Sequence, residues 1–270
     1  MSILEDKLLL IYFSCLAIVF GAAMGSFLNC AAFRIARGES FVRGRSRCPS
    51  CGHVLTAREL IPIISFLLQR GRCRACGAKL SARYPLTEAF FALLTLLNIL
   101  VFGLSPDAVR NEIFFSCLFT LSLVDLEIYE IPDGCLLIGL AAWLLALPFT
   151  GGLEALKSGL LSALVFGGGV LLISLIMDRL LGRESLGGGD IKLIALCALY
   201  LGLIGSLFMT MLSCALGLLA AAIMKKSGKA GEKAKQNEGR IAFGPALSLA
   251  AVLMLLFGGP LIDRYIGLFS

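Results

Sequence analysis

Residues 193–224 read LIALCALYLGLIGSLFMTMLSCALGLLAAAIM, thirty-two positions in a row without a charge. At about 1.5 Å of helical rise per residue this exceeds what one crossing of a ~30 Å hydrocarbon layer needs. The segment Leu201-Gly202-Leu203-Ile204-Gly205-Ser206 lies where a tight turn would divide it. The rest of the chain agrees with lipid as the solvent. Of its 270 residues 58% are hydrophobic and 16% charged, a balance that a soluble domain of this size could not hide from water.

Further uncharged runs cover Leu8–Phe33, Ala89–Pro106, Gly134–Leu153, Ser158–Met177 and Ile241–Ile262, with a shorter one over Ile113–Val124. Together they predict an all-α polytopic membrane protein of about eight transmembrane helices. The first run is longer than the apolar stretch of a signal peptide, and its stronger positive flank, Arg34 and Arg37, follows it. It reads as a retained anchor.

Charge sets the orientation. Twenty of the 24 Lys and Arg fall in three loops, 34–83, 179–192 and 225–240, which alternate onto one side of about eight crossings. That side is expected to be cytosolic, with both termini outside. The net charge of +6 is therefore a topology signal, and nucleic acid is a poor partner for it. The loop Lys225–Arg240, rich in Lys, Gly, Ala and Glu and without an aromatic residue, reads as flexible and lipid-facing.

These boundaries predict three parts: an N-terminal transmembrane helix (1–37), a small cytosolic cysteine-rich insert (38–84), and a transmembrane core (85–270). In the insert the nine-residue apolar strip Leu60–Leu68 is half a span long, so it is expected to lie on the membrane or pack beneath it.

Cys48-Pro49-Ser50-Cys51 and Cys73-Arg74-Ala75-Cys76 are two C-x-x-C knuckles, the spacing by which Cys48, Cys51, Cys73 and Cys76 would hold one tetrahedral ion. A closed four-thiolate site is structural, and an insert of this size has little core without it. Two disulfides are the competing reading, disfavoured by a reducing cytosol. The other six cysteines are scattered through apolar runs and read as small core residues. His53, the only histidine, reads as an outer neighbour of the metal or a surface residue.

A lone histidine excludes an H-E-x-x-H metalloprotease and disfavours a Ser/His site in the bilayer. Carboxylates remain. Asp125 closes the run Ile113–Val124, and an aspartate at such a position costs up to roughly 3 kcal/mol without a partner or water. Asp190 ends Gly187-Gly188-Gly189-Asp190 and opens an apolar helix. The three glycines would let substrate backbone approach closely, whereas the plainer reading of Asp190 is a helix cap. The charge-derived topology puts both aspartates at the cytosolic face, as a water-activating pair requires. Glu127, Glu130 and Asp133 lie beyond the run and read as loop and cap residues, with Pro132 in the first turn of the next helix.

The ordered set Gly25-Ser26-Phe27-Leu28-Asn29, the paired cysteines, Arg70-Gly71-Arg72-Cys73, Arg83-Tyr84-Pro85, Asp125 with Ile131-Pro132-Asp133, Gly187 to Leu193, and Phe243-Gly244-Pro245 resembles the prepilin peptidase family. The likeness runs from residue 25 to about 250. It departs at Ala242, where the family often carries proline. The resemblance implies a GxGD-type aspartyl protease of the bacterial inner membrane. Such an enzyme removes, on the cytosolic side, a short basic leader after glycine from prepilins and pseudopilins, with Asp125 and Asp190 matching the catalytic pair. It also implies N-methylation of the new terminus from S-adenosylmethionine, an activity linked to the cysteine-bearing insert.

From the helix ends alone, Asp190 at an N-terminus is expected to be the base and Asp125 near a C-terminus the acid. An ion-coupled transporter, with the aspartates binding an ion and the insert regulating it, is the rival from another class.

Overall fold

A computed structural model describes residues 7–40, 44–182, 185–226 and 242–267. The basic loop after residue 226, read above as flexible, lies outside the described residues. Among those described there is no β-strand, only two isolated bridges. The helices are α1 (Lys7–Ile35), α2 (Ile64–Leu68), α3 (Arg83–Phe102), α4 (Pro106–Ile128), α5 (Asp133–Ala146), α6 (Gly152–Ala163), α7 (Gly169–Leu181), α8 (Gly188–Lys226) and α9 (Gly244–Ile266). A π turn, Leu164–Gly168, joins α6 to α7 without a loop.

Among the described residues five helices are long and apolar enough to cross a membrane: α1, α3, the continuous α6–α7 rod, α8 and α9. The expected turn in the long run is a break at Gly202, whose φ of 68° and ψ of −177° are open to glycine and strained for other residues. Ser206 Oγ donates to the Gly202 carbonyl at 2.6 Å, the back-bond of a helical serine to the carbonyl four residues earlier. The apolar stretch that begins with α5 is shorter, and α4 carries Asp107, Arg110 and Glu112 in its first two turns.

The chain packs as two compact units, Met1–Glu112 and Ile113–Ser270. This grouping differs from the composition boundary near residue 84. Composition marks where water-soluble chain ends, whereas packing marks which helices share a core.

In the first unit α1 lies against α3. A Cβ on Gly21 would stand 2.6 Å from Thr95 Oγ1 and 2.8 Å from Ala92 Cα, so only glycine lets the two backbones come this close. The hairpin of α3 and α4 is tied by buried polar groups. Thr95 Oγ1 donates to Glu112 Oε1 at 2.6 Å, and Asn98 Nδ2 donates to Glu112 Oε2 at 3.0 Å and to the Ala108 carbonyl at 2.9 Å. The uncharged run stops at Ile113, but the helix starts at Pro106, because Asp107, Arg110 and Glu112 meet partners there: Arg110 pairs with Asp107 at 3.1 Å.

In the second unit α8 is the central rod. Gly167 packs on Ala195, and Gly159 meets the Trp143 ring and the Leu199 carbonyl. Tyr200 stacks on Phe114 at 3.8 Å and donates to the Gly139 carbonyl at 2.6 Å. Phe115, Leu118, Leu121, Val124, Leu193 and Leu247 fill the core. The consequence for function is that the C-terminal turn of α4, the N-terminal turn of α8 and the start of α9 belong to one packed body.

Candidate active site and metal centre

Both cysteine knuckles fold the same way. The N–H of Cys48 donates to the His53 carbonyl at 2.8 Å and that of Gly52 to Cys48 at 2.9 Å; Cys73 and Gly77 repeat this with Ala78 and Cys73, each bond 2.9 Å. Gly52 and Gly77 take φ of 73° and 70°, the left-handed turn that brings the second cysteine back beside the first. The four sulfurs lie within 4.8 Å of one another, and Cys48 and Cys76 Sγ are 3.9 Å apart. Four thiolates on a tetrahedron with ~2.3 Å zinc–sulfur bonds would sit about 3.8 Å apart, so the set fits zinc. The amides of Cys51 and Ser50 pull the Cys48 thiol down to about 6, while, against the His53 amide, the neighbouring sulfurs push the Cys51 thiol up to about 12, as expected of thiols crowded around one point. All ten cysteines are free, against the disulfide reading.

His53 stands outside the sulfur cluster, its Nε2 3.4 Å from the buried Glu59 Oε2. Thr56 donates its amide (2.9 Å) and hydroxyl (2.8 Å) to the same oxygen, a reciprocal cap on a short 3₁₀ turn. The Thr56 amide and hydroxyl, with His53, hold the Glu59 carboxyl at about 2 despite its burial. The apolar strip that follows exposes Leu67 (66%) and Leu68 (74%). It is moored by the Ile63 N–H, which donates to Glu88 Oε2 at 2.7 Å, five residues into α3.

Between the knuckles and the end of α1 lies a cavity of about 620 Å³, lined in part by Asn29, Arg34, Arg47, Tyr84 and Glu88. Asn29 and Glu88 are buried. Sequence reasoning did not find this cavity. Its only trace was an asparagine inside the run Leu8–Phe33 and a glutamate just before the run Ala89–Pro106, where such residues are expensive.

The second constellation lies in the other unit. Asp125, in the last turn of α4, is 5% exposed. Asp190, the third residue of α8, is half-buried. Their carboxylates are near enough for the charge of one to act on the other. Asp125 Oδ2 accepts the Gly244 N–H at 2.9 Å, a partner that sequence reasoning missed although Phe243-Gly244-Pro245 was in view.

The glycines before Asp190 do different things. Gly189 leans on Ile131, where a Cβ would approach to 3.0 Å; Gly188 faces open space; Gly187 abuts Asp190 Oδ2. Gly188 thus leaves an approach free. Asp133, expected to be a solvated cap, begins α5 after Pro132 and pairs with Lys192 Nζ at 2.7 Å, clasping α5 to α8 beside the aspartates.

Residues 19–102 match the family described as bacterial peptidase A24 N-terminal domain, and residues 113–222 the type IV leader peptidase family. A prepilin leader peptidase/N-methyltransferase of Myxococcus xanthus is 34% identical over 230 residues, covering 84% of this chain and 68% of that protein. The protein of the same description from Bacillus subtilis is 34% identical over 251 residues, covering 92% and 96%. That of Neisseria gonorrhoeae is 30% identical over 261 residues, covering 87% of each. No solved structure matches the chain.

Proposed function

The chain belongs to the type IV leader peptidase family and is a prepilin peptidase, and from that premise we propose that Asp125 and Asp190 hydrolyse the leader peptide bond of prepilins and pseudopilins after glycine, at the cytosolic face of the inner membrane. One carboxylate takes a proton from a water that attacks the scissile carbonyl. The other, protonated, gives its proton to the departing amine, so the pair exchanges one proton and no covalent intermediate forms. The observation that supports this reading is that two carboxylates 65 positions apart in sequence lie within electrostatic reach of each other. Gly188 leaves room for an extended substrate segment, and the apolar helix that follows a prepilin's cut site would pack among the enzyme's own helices. The excess of basic residues in loops 34–83, 179–192 and 225–240 supports the cytosolic orientation.

The same enzyme methylates the new N-terminus in this proposal, with residues 1–37 as anchor, 38–84 as a zinc-stabilised insert and 85–270 as the protease core. S-adenosylmethionine supplies a methyl group on a sulfonium. The cavity above the knuckles fits such a ligand in size. The buried Glu88 suits its cationic end, and Arg34 and Arg47 its carboxylate. Zinc, held by Cys48, Cys51, Cys73 and Cys76, shapes the insert and touches no reacting atom.

The test is incubation of the full-length enzyme in liposomes with a prepilin, with and without S-adenosylmethionine, followed by mass spectrometry of the product's N-terminus. A product starting just after the leader glycine, one methyl group heavier when the donor is supplied, is expected. Intact prepilin accompanied by ion flux would instead favour a transporter.

A further inference from the structure

The start of α9 is built to present one amide to Asp125. Phe243 is seated against Gly217 of α8, where a Cβ would come to 2.9 Å from its ring. Pro245 has no N–H, and Ala246 and Leu247 both donate theirs to the Phe243 carbonyl at 3.1 Å. Gly244 is therefore the residue of this turn whose amide is left to point outward, and it donates to Asp125 Oδ2 at 2.9 Å. A side chain there is excluded: a Cβ on Gly244 would lie 2.7 Å from that same oxygen.

An N–H donated to a carboxylate favours its ionised form, and an N-terminal helix end adds partial positive charge. The charged group facing Asp125 from α8 is Asp190, and two like charges this close do not both ionise readily. Lys192, two residues further on, is engaged by Asp133. The helix-end argument from sequence counted only the helix that each aspartate belongs to. For Asp125 the nearer dipole is that of α9, and it reverses the assignment.

We infer that Gly244 is a positioning residue that holds Asp125 as the ionised carboxylate, so that Asp125 is the general base and Asp190 the general acid of the proposed cleavage. The inference rests on the protease reading above, and its test separates the two. Wild type, Asp125→Asn and Asp190→Asn are each given a prepilin with the ordinary scissile amide and one in which that bond is an ester. An amine leaves only when protonated, whereas an ester's alkoxide needs little acid help.

The expected pattern is that both variants fail on the amide and Asp190→Asn alone recovers, at least about 100-fold, on the ester. Rescue of Asp125→Asn instead, or of both or neither while wild type cuts both substrates, overturns the assignment. If wild type cuts neither, the protease reading itself fails. The positioning claim is read from Gly244→Ala, which should move the acidic limb of the kcat/KM profile up by about one pH unit, with Gly259→Ala, open to space in the same helix, as the control. Lower activity on an unmoved limb would make Gly244 a packing residue only.

Discussion

Cys48 and Cys51 stand three residues apart, as do Cys73 and Cys76, and each pair is closed by its own turn with its own left-handed glycine. Asp125, Asp190 and Gly244 come from the ends of three helices, and the bond between the first and last spans 119 positions. The metal centre is thus a product of local turn chemistry plus one pairing of knuckles. The aspartate site is a product of helix packing, correct only when α4, α8 and α9 are all in place. The lesson is that the two sites can fail separately, since they are built in different packed units.

The largest effect that would sharpen this contrast is chemical. Asp125→Asn and Asp190→Asn are each expected to lower prepilin cleavage by at least about 100-fold, while zinc content, read by atomic emission on the purified protein, stays at the wild-type ratio. Loss of metal in either variant would join the two sites. The converse comes next. Cys73→Ser removes a buried sulfur of the cluster, and structural zinc contributes roughly 10 kcal/mol or more to small metal-folded modules. Zinc should fall to near zero and methyl transfer with it, while cleavage stays within about tenfold, as the proteolysis proposed for Asp125 and Asp190 does not pass through the sulfurs. Cleavage abolished to the level of the aspartate variants would break the comparison.

A packing change inside the first unit is expected to be milder. Gly21→Leu drives side-chain atoms into Thr95 and Ala92, where even a Cβ would be at 2.6 Å and 2.8 Å. It should cost about 1–3 kcal/mol, read as a lower thermal midpoint of the detergent-solubilised enzyme, with wild-type turnover below that midpoint. An unchanged midpoint would mean that α1 and α3 are not in close contact in the membrane.

The contrast also explains what was legible beforehand. The membrane class, the break at Gly202 and the four cysteines were readable because each is a local pattern: an uncharged run, a glycine within it, a fixed spacing. The aspartates were nominated by the cost of a carboxylate at a membrane boundary, and the resemblance named them. Gly244 was in the same resemblance without a role, because a backbone N–H has no sequence signature and its target lies on another helix. The assignment inferred above from the Gly244 amide runs against the helix-end expectation for that reason. Asn29, inside an apolar run, and Glu88, just before one, were given no role, since nothing local announces that α1 and α3 face a cavity. Asp133 looked like a plain cap because its partner, Lys192, is 59 positions away.

The smallest expected effect lies at the margin of the metal centre and tests whether local chemistry alone holds the insert's fold. Glu59 takes two bonds from Thr56 and faces His53, and its carboxyl is held at about 2 against an ordinary 4.5. A folded-state value below the unfolded one means that ionised Glu59 stabilises the fold at all pH above about 4.5, and that this contribution drains away as pH falls from there toward 2. Glu59→Gln keeps the shape and removes the charge. At pH 7 the variant's insert should exchange its amide hydrogens faster than wild type, at Thr56 first. The gap should narrow steadily as both proteins are taken below pH 4.5, because wild type then loses by protonation what the variant never had. A gap that is constant with pH would mean that Glu59 acts through its shape, and that the short turn below the knuckles draws its stability from the metal.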